Sequence, residues 1–198
     1  MSNALTNFDA QMSQVDILTR QNTLQGKSLA ERQILYHIAI AARVAAWDAY
    51  LNAVALEAID RIGDPLNPEV IALRTLARRH SERLSAKFNT PNFDNGREFI
   101  INCTGYDPIA SWSWPSGGLT WQGVQQRLNE ILKIRHSFAH GFALPLYAWL
   151  PQRRGRPYLN KSVVVEVAKL IRHIAEQTDR GLDGYLRTTY AFLNPPRW

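Results

Sequence analysis

Residues 28–63, "SLAERQILYHIAIAARVAAWDAYLNAVALEAIDRIG", contain no proline, and their one glycine is the last residue. Nothing in the stretch breaks a helix, and Ser28 and Glu31 have the spacing of a capping box at its start. One long helix is therefore expected, stopping at Gly63. Its apolar positions Ile34, Ile38, Ala41 and Ala45, and then Leu51, Ala55 and Ile59, recur at steps of three and four, with alanine-rich turns that let another helix come close. Such a helix needs neighbours, so a bundle is expected around it.

The rest of the chain supplies them. Asn67 before Pro68 reads as an N-cap with proline at the first helical position, opening "PEVIALRTLARRHSERLSAKF", which "NTP" interrupts. Asp94 or Asn95 is expected to cap a shorter helix through "GREFIINCT", ended by Gly105, and the loop "YDPIASWSWPSGG" follows. Thr120 caps "WQGVQQRLNEILKIRHSFAHG", with Val124, Leu128, Ile131, Phe138 and Phe142 as its apolar stripe and Gly141 as C-terminal cap. "PLYAWLPQRRGRPY" is a connector with a short hairpin around Arg154 and Gly155. Asn160 or Ser162 then starts a last helix toward "TTYAFL". The expected fold is all-α, an up-and-down bundle of four to five helices with short extra helices and one irregular loop. A chain of 198 residues forms it as a single domain, 1–198, in which 146–198 is the connector and C-terminal helix.

Composition narrows the function classes. The single cysteine, Cys103, excludes an intramolecular disulfide and a cysteine-rich zinc site, which fits a reducing cytoplasm. "MSNALTNFDAQMSQ" lacks the pattern of a secretory signal, and the long helix is interrupted by His37, Arg43, Asp48 and Asn52, so neither export nor a membrane span is expected. The net charge of +6 favours a polyanionic partner. GxGxxG, Walker A and nucleophile-elbow sequences are absent.

The chemistry concentrates in "IRHSFAHGF", residues 134–142. Arg135 falls on the expected apolar seam, where a charge needs a partner, and Asn129, Lys133, His136 and His140 align on the adjacent face. Arg135 and His140 are five residues apart and diverge on an ideal helix. Their meeting requires a long arginine, a frayed end or a second chain. An imidazole takes and gives protons near neutrality, and a guanidinium carries permanent charge for a phosphate. A plainer reading is that all three cations complement the negative end of the helix dipole beside Gly141. His136 and His140 also have the i, i+4 spacing of a zinc pair, but "HSFAH" lacks the glutamate of HExxH and has no third ligand nearby.

"RHSFAHG" resembles the Arg-x4-6-His motif of HEPN domains. "AAWDAYLNAV" and "KFNTPNFDNGREFIINCTGYDPIASWSW" are similar to the RiboL-PSP branch of that superfamily, and the likeness covers residues 30–145. The resemblance implies an all-helical, homodimeric, metal-independent ribonuclease, without a cofactor, whose two motifs share a dimer cleft. It further implies attack by the RNA 2′-hydroxyl on its own phosphodiester, leaving a 2′,3′-cyclic phosphate, commonly as a toxin or a phage-defence effector. His140 would then be general base or acid and Arg135 the phosphate clamp. His136 stands at the polar position, where it orients Arg135, contacts RNA or shares the proton transfer. RNA is the expected partner, with an antitoxin or regulatory protein as a further one.

Other cations are weaker candidates for RNA contact. Arg78, Arg79 and Arg83 continue a row from Arg74 to Lys87 along one helix, as a phosphate track or a solvated face. Arg153, Arg154 and Arg156 cluster beside Tyr158, either to grip single-stranded RNA or as a plain loop. Lys133 lies next to the motif. Trp112, Trp114 and Trp121 are expected to close over the core. The competing class is a non-catalytic helical RNA-binding or protein-interaction domain.

Overall fold

The computed structural model describes residues 1–62 and 67–191. In chain order it contains helices α1 (Asn3–Asp16), α2 (Gln21–Leu24), α3 (Leu29–Arg61), α4 (Pro68–Lys87), α5 (Phe93–Thr104) and α6 (Trp121–Ala139). The hairpin strands β1 (Gln152–Arg153) and β2 (Arg156–Pro157) follow, and then α7 (Lys161–Thr189). The architecture is an all-α bundle, with that one small hairpin as its sheet among the described residues.

The capping box forms as the spacing requires: the Glu31 N–H donates to the Ser28 hydroxyl, and the Ser28 N–H donates to the Glu31 carboxylate at 2.8 Å. From there α3 runs as the central strut and packs against α1, α4, α5, α6 and α7. The stop expected at Gly63 lies outside the described residues. By length and composition α3 could cross a bilayer, but 56% of its most apolar window is buried in the molecule. Its apolarity is therefore largely used by the core.

The phase of α3 differs from the expected stripe in its first half. Tyr36, Ala39, Ile40, Val44 and Trp47 face inward, whereas Ile34 and Ile38 are 50% and 37% exposed and Ala45 is exposed. Apolar side chains surround this half of the helix, so spacing alone allows two faces. The aromatic Tyr36 and Trp47 bring the larger area to bury, and they decide it. In the second half, Leu51, Ala55 and Ile59 are buried as expected.

Helix α1, to which the sequence pattern assigned no element, docks through its exposed N–H groups. The Asn3 and Ala4 N–H groups donate to the Glu57 carboxylate at 3.0 and 2.9 Å, and the Ser2 hydroxyl donates to the buried Asp179. Phe8 and Met12 then fill the core. Arg43, 1% exposed on α3, donates to Asp16 at 2.5 Å; burial opposes its charge and Asp16 restores it.

Asn92, two residues earlier than Asp94, caps α5: its side chain accepts from the Asn95 N–H at 2.7 Å, while Asp94 and Asn95 are already helical. Gly105 ends this helix at φ +77°. In the loop that follows, Trp112 is fully buried against Trp47 and Phe93, and its indole N–H donates to Thr178 at 2.8 Å. The hairpin turns on Arg154 (φ +52°) and Gly155 (φ +73°), both left-handed as a two-residue type I′ turn demands. Asn160 caps α7 by accepting from the Val163 N–H at 2.9 Å. The end of "TTYAFL", from Phe192, lies outside the described residues.

Candidate active site

The inner face of α6 carries Val124, Leu128, Ile131, Leu132, Ile134 and Ser137. The seam thus passes from Ile131 to Ile134, and not to Phe138, which is 39% exposed. Arg135 consequently lies beside the seam and is half-buried. That corrects the expected seam position, and it removes the need for a buried partner.

The helix end is built by Gly141. At φ +67° it lets the chain reverse, so that the Phe142 N–H donates to the Ser137 carbonyl at 2.8 Å and the Gly141 N–H to the Phe138 carbonyl at 3.3 Å. These two bonds are a Schellman motif, which satisfies carbonyls left open by the last turn. His140 is the C-cap residue at φ −108°, ψ 7°, already outside helical geometry. The reversal lays Phe142 on the His140 ring, with centroids 5.7 Å apart, while His136 meets the other imidazole edge-on at 5.1 Å. His136 and His140 are both exposed, so one ligand can reach both rings.

Arg135 closes no ion pair among the described residues, but it lies within electrostatic range of Asp48 on α3. Burial pushes the Asp48 carboxyl up, and the Arg135 charge and a hydrogen bond from Asn52 pull it back. The Asn52 amide donates to both the backbone and the side chain of Asp48, and its oxygen accepts from Ser85 at 2.5 Å. A guanidinium near a carboxylate yet not bonded to it stays available for a phosphate.

A cavity of about 280 Å³ opens beside the motif. Asn129, Leu132, Lys133, Arg135 and His136 of α6 form one wall, and Thr90 and Asn92, just before α5, form the other. Lys133 therefore lines the same cavity as Arg135 and His136. The sequence reading missed Thr90, Asn92 and Asp48 as site residues. Two of them lie in "FNTPN" and one in "AAWDAY", so the signal lay in the quoted segments. A larger and mainly apolar cavity of about 450 Å³ lies elsewhere, between α3, α4 and α5, and its lining includes none of the motif residues.

The remaining cations do not line the motif cavity. Arg78 is tied to Asp60 at 2.5 Å and to Glu82 at 3.2 Å in a surface ion-pair network, so an RNA phosphate would have to compete with two carboxylates for it. Arg79 and Arg83 are exposed on α4, and Arg153, Arg154 and Arg156 are exposed on the hairpin. Among the described residues, no group of three His, Cys, Asp or Glu side chains could hold a metal ion. His173 is held elsewhere, against the Ser113 carbonyl at 2.8 Å.

The fold and site together define a class: an all-α bundle with a cationic, histidine-bearing helix end open to solvent. Set against known proteins, the chain matches no family model, no curated protein and no solved structure.

Proposed function

We propose that the chain is a metal-independent endoribonuclease of the HEPN class, cleaving RNA through attack of the 2′-hydroxyl to leave a 2′,3′-cyclic phosphate. The observation that carries this reading is a pair of exposed imidazoles 5.1 Å apart at one helix end, on the same last turns as a half-buried Arg135 that closes no ion pair among the described residues. Transesterification needs a base for the 2′-hydroxyl, an acid for the leaving 5′-oxygen and a cation for the crowded phosphorane. His140 supplies the proton transfer and Arg135 the charge. His136, in contact with His140, orients it or shares the transfer. The proposed setting is a cytoplasmic toxin or phage-defence effector, restrained by an antitoxin or regulatory protein.

The same reading includes a homodimer with a composite site. Supporting it is an apolar strip next to the motif: Phe138 stacks on His37 at 5.2 Å, and Ile34, Ile38 and Phe142 are exposed around that contact. A second copy covering this strip would bring two motifs together. The strip also favours one alternative, a non-catalytic interaction or RNA-binding module that uses the helix end only to dock.

The test is incubation of the protein with labelled RNA in excess EDTA, beside His140→Ala, with product ends identified. Cyclic-phosphate ends from the wild type, reduced about 10²-fold or more in the variant, are expected. An equally active variant sinks the proposed role of His140, and metal-dependent cleavage sinks the mechanism.

A further inference from the structure

The cavity beside Arg135 has an unusual hydrogen-bonding polarity. The Phe93 N–H donates to the Asn129 amide oxygen at 3.4 Å, and the Asn95 N–H donates to the Asn92 amide oxygen at 2.7 Å. A backbone N–H can bond only the oxygen of an amide, so the first turn of α5 settles which way both side chains face. Their NH2 groups donate to nothing among the described residues, and neither is a buried orphan, so both are open to solvent. Lys133 and Arg135 on the same lining can only donate. The Thr90 carbonyl, an acceptor at the rim, already receives the Asn92 N–H at 2.9 Å and the Asn95 amide at 3.1 Å. Leu132 adds an apolar wall.

Apart from the His136 imidazole and the Thr90 hydroxyl, the polar side chains of this slot offer donors, and the slot has one greasy side and a volume of about 280 Å³. That approaches the ~300 Å³ lower bound of ligand clefts and is roomy for a bare phosphate. Nucleobases differ in what they offer such a wall. Guanine presents the neighbouring acceptors N7 and O6, and uracil presents carbonyl oxygens as thymine does. Adenine and cytosine put an amino donor at the corresponding edge. A donor on the base facing a donor on the wall leaves both unsatisfied.

We infer that this cavity is a nucleobase subsite that selects keto bases, guanine or uracil, through the amide donors of Asn129 and Asn92. Its place next to a scissile phosphate rests on the ribonuclease reading, but base selection itself does not. Asn129 is the specificity-determining residue, because it stands one helical turn from Lys133 on the motif helix while its oxygen is anchored to α5.

Calorimetric titration of the full chain with 3′-GMP, 3′-UMP, 3′-AMP, 3′-CMP and inorganic phosphate tests it. The keto nucleotides are expected to bind about tenfold or more tightly than the amino ones. Asn129→Asp keeps an oxygen for the Phe93 N–H, so the fold is retained, but it replaces the donor by an acceptor. The added charge weakens every nucleotide, so the readout is the ratio between bases, which collapses or inverts. Equal binding of all four, phosphate binding as tightly as 3′-GMP and 3′-UMP, absence of binding, or a ratio unchanged in Asn129→Asp each overturns the subsite. Base selection without RNA cleavage fails the ribonuclease reading alone, and cleavage without base selection fails the subsite alone.

Discussion

His37 sits at the junction of α3 with the motif helix, stacked on Phe138, and its Nδ1 is buried without a hydrogen-bond partner among the described residues. Burial pushes its pKa below the ordinary value of 6.5. Above that value the ring is neutral in both folded and unfolded chains, so it has no effect on stability. As pH falls through 6.5, the unfolded chain takes up the proton first and the folded state loses stability, until the lower folded pKa is passed. His37→Phe keeps an aromatic ring against Phe138 and removes the titration. Urea midpoints of the wild type should therefore fall relative to this variant between about pH 7 and pH 5. Parallel pH profiles would show that the ring stays solvated. The motif residues differ at this scale: Arg135, His136 and His140 were singled out from spacing, but Asp48 and Asn92, which lie near them, come from α3 and from the cap of α5.

Helix α7 shows how one element's geometry limits substitution. Its two glycines are equivalent by propensity, and alanine should improve both by about 1 kcal/mol. Their surroundings are not equivalent. A Cβ at Gly181 would overlap the Tyr106 hydroxyl, which also lies 3.2 Å from the Ser111 hydroxyl, whereas a Cβ at Gly184 meets nothing within 4 Å. Gly184→Ala should raise the unfolding free energy by about 0.5–1 kcal/mol. Gly181→Ala should lower it by about 1–2 kcal/mol, since displacing a packed tyrosine outweighs the propensity gain. Denaturant titration of both variants checks the pair, and equal shifts would show that Tyr106 does not pack on α7. The helices capped by Ser28, Asn67 and Thr120 were readable because those side chains act on their own first turns, and Asn160 was one of two caps expected for α7, whereas α1 and the Asn92 cap of α5 were not read. Facing was less readable: Ile34 and Tyr36 are both apolar, and only the neighbours of α3 choose between them.

For the whole molecule, the exposed Ile34, Ile38, Phe138 and Phe142 set the expectation of self-association. Light scattering on the wild type should give the mass of two chains, and Ile34→Glu with Ile38→Glu should give one. Because both positions are exposed, the helical circular-dichroism signal should persist while RNA cleavage is lost. A wild type that cuts RNA as a monomer would refute the composite site.

Local chemistry determined much of this protein from sequence alone. The proline-free run of α3, the self-contained caps and the left-handed glycines at 105, 141 and 155 act within a few residues, so they are written where they work. Tertiary structure decided what depends on residues far apart. It turned Trp47 inward instead of Ile38, drew α1 onto Glu57 and Asp179, and tied Arg78 to Asp60. It also set Asn92 and Asn129 on the lining of one cavity. Periodicity gives the angle between side chains on one helix, but burial and hydrogen bonding between helices depend on which surfaces meet, and one chain's spacing does not contain that information.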